Sequence, residues 1–127
     1  MKNGAPEEKV AVVHHAVDLT MYEKISENKM AMRKKLELPE ESFIVLHAGN
    51  LYSWKKPEIV IDALEFTKSF DVHFCNVGEI EEKQRLVEYA REKKVKNFLF
   101  HHRVSPATVP SYLKAADALV LLPAPKS

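Results

Sequence analysis

Glycine and cysteine are scarce in this 127-residue chain, with three of the first and one of the second. Lone Cys75 excludes an intrachain disulfide and fits a reducing compartment. Charge of one sign is lacking too. Nineteen basic side chains against eighteen acidic ones argue against a nucleic-acid binder working by bulk charge, which usually carries a basic excess on one face. No apolar run approaches the length of a membrane span, and Glu7 and Glu8 stand where a signal peptide needs its apolar core. The chain therefore reads as a cytoplasmic protein and as a single domain over residues 1–127. Both standard nucleotide fingerprints, GxxxxGK[ST] and GxGxxG, are missing as well. That disfavours a kinase, an ATPase or an NAD-dependent enzyme. A phosphoacceptor receiver domain needs carboxylates at the ends of its first strands. His47, Gly49, Gly78 and Glu79 stand there instead.

What is there is an alternation of apolar runs and amphipathic stretches. Residues 10–13 form a brief β-branched run that predicts a short N-terminal strand, and 14–22 read as a loop. Residues 23–36 predict a helix ended by Pro39. Residues 43–47, 71–77, 95–100 and 118–122 predict four main strands. Between them, Pro57 opens a helix with Ile59, Ala63, Phe66 and Phe70 on one stripe and Val60, Leu64 and Thr67 alongside. Residues 81–94 carry a thin stripe at Leu86, Val87, Tyr89 and Ala90, and a helix after Ser105-Pro106 carries Val109, Tyr112, Leu113 and Ala116. Nearly continuous apolar strands separated by such helices predict an α/β fold. The expected form is a Rossmann-like, doubly wound parallel sheet with helices on both faces. Because the last apolar strand would lie unprotected at an edge, the sheet reads as an incomplete part of a larger domain, open to self-association through that strand.

The stretch FIVLHAGNLYSWKKP, 43–57, concentrates the chemistry. A strand ends at Gly49, Lys55 and Lys56 follow, and Pro57 starts a helix. These are the parts from which α/β proteins build sites for phosphate-bearing ligands. Gly78 closes the next strand in the same way. Other polar residues carry less. The pairs His14-His15 and His101-His102 place adjacent side chains on opposite faces, which suits strand ends better than one metal ion. Cys75, mid-strand, reads as core, and Lys93, Lys94 and Lys96 as a solvated helix end. Tyr52 and Trp54 either cover a ligand or cap the sheet edge, and both readings stand.

The chain resembles the first part of the C-terminal, nucleotide-sugar-binding domain of the retaining GT-B glycosyltransferases of the group 1 type. The resemblance rests on five pieces in order. They are His15-Ala16-Val17-Asp18 with Tyr22, then Gly49-Asn50-Leu51 with Lys55-Lys56, then Val77-Gly78-Glu79. Phe100 to Val104 and Tyr112-Leu113 with Ala116-Asp117 and LVLLP complete the set. The resemblance implies a parent enzyme that moves a sugar from a nucleotide-diphosphate donor to an acceptor with retention and without a metal or other cofactor. By it, Lys55 is the catalytic cation that stabilises the leaving diphosphate. Gly49, Asn50, Lys55, Lys56, Gly78, Glu79, Arg103, Val104 and Pro123 would bind the donor, with the first strand beside the fourth. The Arg103–Val104 loop would line the base pocket. Asn50 stands where the family has an arginine, and Lys56 where it has a glycine. The resemblance further implies that the acceptor domain, the remaining strands and a paired-glutamate motif lie outside the chain, that this part alone is inactive, and that the parent works in the cytoplasm or at the inner membrane surface. Two rivals stay open: a non-catalytic partner-binding α/β module, and a half-domain of another sugar-nucleotide enzyme.

Overall fold

A computed structural model describes residues 4–122. Its elements run α1 (Thr20–Glu23), α2 (Lys29–Lys35), β1 (Phe43–Ala48), α3 (Glu58–Phe66), β2 (Val72–Val77), α4 (Lys83–Glu92), β3 (Phe98–His101), α5 (Val109–Ala115) and β4 (Ala118–Leu119). The four strands are parallel in the order β3-β2-β1-β4, so the first strand does lie beside the fourth, as the resemblance implied. The chain winds outward from β1 through α3 and α4, then reverses through α5 to reach the other side of β1. Right-handed crossovers therefore put α3 and α4 on one face and α2 and α5 on the other.

Strand periodicity separates the two cores. Ile44, Leu46, Cys75 and Val77 face Met32, Tyr112 and Ala115, whereas Phe74, with Val45 beside it, faces Ile61, Leu64, Leu86 and Ala90. Cys75 is fully buried, and that burial pushes its thiol up to about 12. It packs as a small apolar side chain, as expected.

Five expectations change. Residues 10–13 form no strand, and Val12 and Val13 are exposed. A four-residue run with no neighbouring strand has nothing to pair with. The helix expected over 23–36 shortens to α2, because Asn28 starts that helix by accepting the Ala31 N–H at 2.8 Å. Asp18 likewise accepts both the N–H and the hydroxyl of Thr20, which begins α1 inside the stretch read as a loop. On α3 the buried residues are Ile61 and Leu64, while Ile59, Phe66 and Phe70 are exposed. Apolar side chains surround this helix on several sides, so spacing alone selected the wrong stripe. Ile59 and Ala63 instead border an apolar groove of about 300 Å³ with Val45, Phe74 and Val120. Finally, β4 pairs with β1 over two residues rather than five, and Leu119 and Leu121 stand exposed at that edge.

The amino ends of the strands are tied by a buried charge. Arg33 is 4% exposed and donates to the carbonyls of Ala115, Glu40 and Ser42 at 2.8–2.9 Å, and to the Asp117 carboxylate. Asp117 also accepts from the Ile44 N–H and the Lys29 ammonium, both at 2.8 Å. Partial burial, taken alone, would push its pKa up. The Lys29 ammonium, the Ile44 N–H and Arg33 outweigh that and hold the carboxyl down at about 2.

Candidate functional site

At the carboxyl ends of β1 and β2 the two glycines do different work. Gly49 has φ +143 and Gly78 φ +145, values that L side chains rarely adopt. A Cβ on Gly49 would meet only the His47 ring at 3.5 Å. On Gly78 it would lie 2.3 Å from the Gly49 carbonyl oxygen and 2.6 Å from its carbon. Gly78 is therefore the place where one strand-end loop crosses the backbone of the other. The two loops are then stitched together. Leu51 donates to the Glu79 carbonyl, and Glu81 donates back to Leu51, each at 2.9 Å.

Asn50 belongs to that stitching. Its Oδ1 accepts the Glu79 N–H at 3.1 Å, and its Nδ2 donates to the Tyr52 hydroxyl at 3.1 Å. A side chain expected at a donor cleft spends both ends of its amide on loop geometry. Beneath the glycines, Asn76 Nδ2 donates to the Gly78 carbonyl at 3.2 Å, which turns Oδ1 toward His47 Nδ1 at 2.8 Å. The Nδ1–H of His47 is therefore the donor. Burial holds His47 below the usual imidazole range; the Asn76 bond opposes this, and the nearby Lys55 charge reinforces it. Composition did not point to this buried pair, although His47 and Asn76 are register partners.

The lysines diverge. Lys55 Nζ donates to the Asn50 carbonyl at 3.1 Å and lies 5.4 Å and 5.9 Å from the ring centroids of Trp54 and Tyr52. Lys56 is exposed and takes a left-handed conformation, φ 49 and ψ 61, at the end of a 3-10 turn over Ser53–Lys55. That is the conformation for which glycine is best suited.

A cleft of about 260 Å³ opens over the strand ends. It is lined by Ala48, Gly49, Asn50, Val77, Gly78, Arg103, Val104 and Val109. The expected residues Gly49, Asn50, Gly78, Arg103 and Val104 are thus brought together. Glu79 lines an adjoining hollow of about 350 Å³ with Lys83 and His102. Lys55 lines neither, although the carbonyl holding its ammonium belongs to a cleft residue. Lys56 also lines neither, and Pro123 lies outside the described residues. Among those described, no three His, Cys, Asp or Glu side chains gather into a metal site, and no helix is long and apolar enough to cross a membrane.

Known proteins resemble this chain. WcaI of Escherichia coli (strain K12), a glycosyl transferase by name and linked by it to colanic acid biosynthesis, is 31% identical over 87 residues. The match takes in 68% of this chain and 21% of WcaI. The chain thus spans about a fifth of that relative's length. A glycosyltransferase from Rickettsia africae ESF-5 superposes with a TM-score of 0.72 at 20% identity, over 90% of this chain and 32% of that one. HepE of Anabaena, solved with UDP and glucose, gives 0.68 at 22% over 91% and 32%. The C-terminal domain of LpcC, a group 1 glycosyl transferase of Francisella tularensis, gives 0.67 at 19% over 82% and 57%. At such identities the likeness is one of fold. Residues 28–124, which include all of the cleft described above, match the family model described as "Glycosyl transferases group 1", and the chain belongs to that family.

Proposed function

We propose that this chain is the donor-binding portion of a glycosyltransferase that moves a sugar from a nucleotide-diphosphate donor to an acceptor, with retention and without a metal. The observation that carries the reading is the cleft at the carboxyl edge of the parallel sheet. Gly49 and Gly78 bare their backbone there, and Arg103 and Val104 form the facing wall. Open α/β sheets take their ligands at that edge. A diphosphate would lie over Gly49, where the missing Cβ leaves room, and the nucleobase against the Arg103–Val104 backbone. When the sugar–phosphate bond breaks, negative charge accumulates on the departing diphosphate. Lys55 swings from the Asn50 carbonyl to meet it. A cation about 4 Å from that charge contributes about 4 kcal/mol at an effective dielectric near 20. Lys56 adds a second, more solvated cation at the rim, and Glu79 borders the neighbouring hollow. With Asn50 committed to the loops, Lys55 and Arg103 supply the cleft's charge. The UDP-bearing HepE, which shares this fold, makes UDP the first ligand to try.

Titration with UDP, GDP and ADP, followed by backbone amide shifts, tests the reading. Gly49, Gly78 and Val104 move first, and Lys55→Ala weakens binding at least tenfold with the fold intact. EDTA leaves the affinity unchanged. If no nucleotide perturbs these amides, the assignment is wrong. If EDTA abolishes binding, the metal-free part of it is wrong.

A further inference from the structure

Tyr52 and Trp54 are 41% and 52% exposed at the carboxyl edge of the sheet, beside the strand-end loops. Their rings are almost parallel, 11° apart, with centroids 5.8 Å from each other. The pair is also held in place. Leu51, fully buried, anchors the loop from below. Asn50 fixes the Tyr52 hydroxyl at 3.1 Å. Ser53, between the two in sequence, gives its N–H and its hydroxyl to Glu81 at 2.7 Å and 2.8 Å, and Lys55 braces both rings from its bond to Asn50. Two large aromatic surfaces kept rigid and wet contribute little to the fold, and rigidity of that kind lowers the entropic cost of binding.

We propose that Tyr52 and Trp54 form a stacking platform for a pyranose ring. The proposal rests on the glycosyltransferase reading and adds a sugar subsite to it. A pyranose has an apolar C–H face that suits an aromatic surface and a rim of hydroxyls that need both donors and acceptors. The surroundings of the pair supply both. Glu81 and Glu82 carboxylates come from the β2–α4 loop, where both accept from Ser53, and the Lys55 and Lys56 ammonium groups come from the platform's own loop. That mixture of signs fits a neutral polyol better than a phosphate or an anionic lipid surface, which would call for cations alone. The ring belongs either to the donor's sugar or to the glycan that accepts it.

Trp54 is the chain's one tryptophan, so its intrinsic fluorescence reports on the platform directly. The 127-residue chain is titrated with glucose, mannose, maltose, mannobiose, UDP and UDP-glucose. A saturable blue shift with a free disaccharide assigns the platform to an acceptor glycan. A shift with UDP-glucose that UDP does not produce assigns it to the donor sugar. In either case Trp54→Phe keeps the affinity within about fivefold and Trp54→Ala, followed by ligand-observed NMR, loses at least tenfold. A shift with UDP as large as with UDP-glucose makes the pair a nucleobase platform and overturns the proposal. So does silence toward every sugar while UDP still moves the Gly49 and Gly78 amides, a result that leaves the nucleotide reading standing. Silence in both measurements overturns both.

Discussion

Replacing Gly78 by alanine should be far more damaging than the same change at Gly49, although both glycines end strands with nearly the same φ. At either position the added Cβ forces an L residue into backbone space that glycine alone occupies easily, which costs about 1–3 kcal/mol. Gly49→Ala adds little beyond that, because its nearest neighbour is the His47 ring at an ordinary 3.5 Å. Gly78→Ala adds a collision with main chain, 2.3 Å from the Gly49 oxygen and 2.6 Å from its carbon. A peptide group cannot rotate away as a side chain can, so the two loops must part. Parting them endangers the Leu51–Glu79 and Glu81–Leu51 bonds and the Asn50–Glu79 contact. With each such bond contributing about 1 kcal/mol, the total for Gly78→Ala comes to about 4–6 kcal/mol, set against a typical domain stability of about 5–15 kcal/mol. Urea unfolding followed by far-UV circular dichroism measures both variants. Gly49→Ala should melt cooperatively at a modestly lower midpoint, and Gly78→Ala should lose about 3 kcal/mol more, with a correspondingly larger drop in midpoint. Equal losses in the two variants would refute the loop-crossing account of Gly78.

Lys56→Gly should stabilise the fold by about 0.5–1 kcal/mol, since relief of the left-handed strain exceeds the entropy that glycine adds to the unfolded chain; a lower urea midpoint would contradict this. Arg33→Met should cost about 3–5 kcal/mol, because it takes one of three donors from the Asp117 carboxylate and leaves three carbonyls short of a donor, and thermal melts read it. Asp117 is held at about 2 against an ordinary 3.8, so its contribution of about 2 kcal/mol is complete above pH 4 and disappears as pH falls toward 2. In Asp117→Asn that acid-side slope should flatten. His47 is depressed by burial, so below its ordinary value the unfolded chain binds the extra proton and stability falls as pH drops through about 6.5 and below. His101, also depressed chiefly by burial, adds to the same flank. His47→Gln should remove part of that slope in urea titrations at pH 7 and pH 5.

The sheet was legible because its strands are apolar on both faces and its glycines follow them directly. Spacing placed β1 and β2 to within a residue at either end. The N-terminal strand misled because β-branched residues mark a strand only where a partner exists, and Val12 and Val13 have none among the described residues. The signals for α1 and α2 were present in Asp18 and Asn28, whose short oxygens compete with helix interiors and start helices instead. On α3, Ile59, Ile61, Leu64 and Phe66 offer two apolar stripes, and only the packing of the sheet chooses between them. At the cleft, Gly49 and Gly78 followed from strand ends, and Arg103 and Val104 from the family resemblance. The role of Asn50 did not, since a hydrogen bond between loops 29 residues apart leaves no trace in local pattern. Nothing in the local pattern around Arg33, which shares α2 with Lys29, Lys34 and Lys35, singles it out. Its burial depends on the Glu40 and Ser42 carbonyls just downstream and on the Ala115 carbonyl and Asp117 carboxylate from the far end of the chain.

The knot around Arg33 and Asp117 sits at the opposite rim of the sheet from the cleft. Fastening and recognition are thereby kept on separate shores of one β layer. Substitutions among the loops that follow β1, β2 and β3 are free to retune which ligand is welcomed, while the clasp below keeps α2, β1 and β4 in register. A scaffold divided this way can change its clientele without loosening its seams.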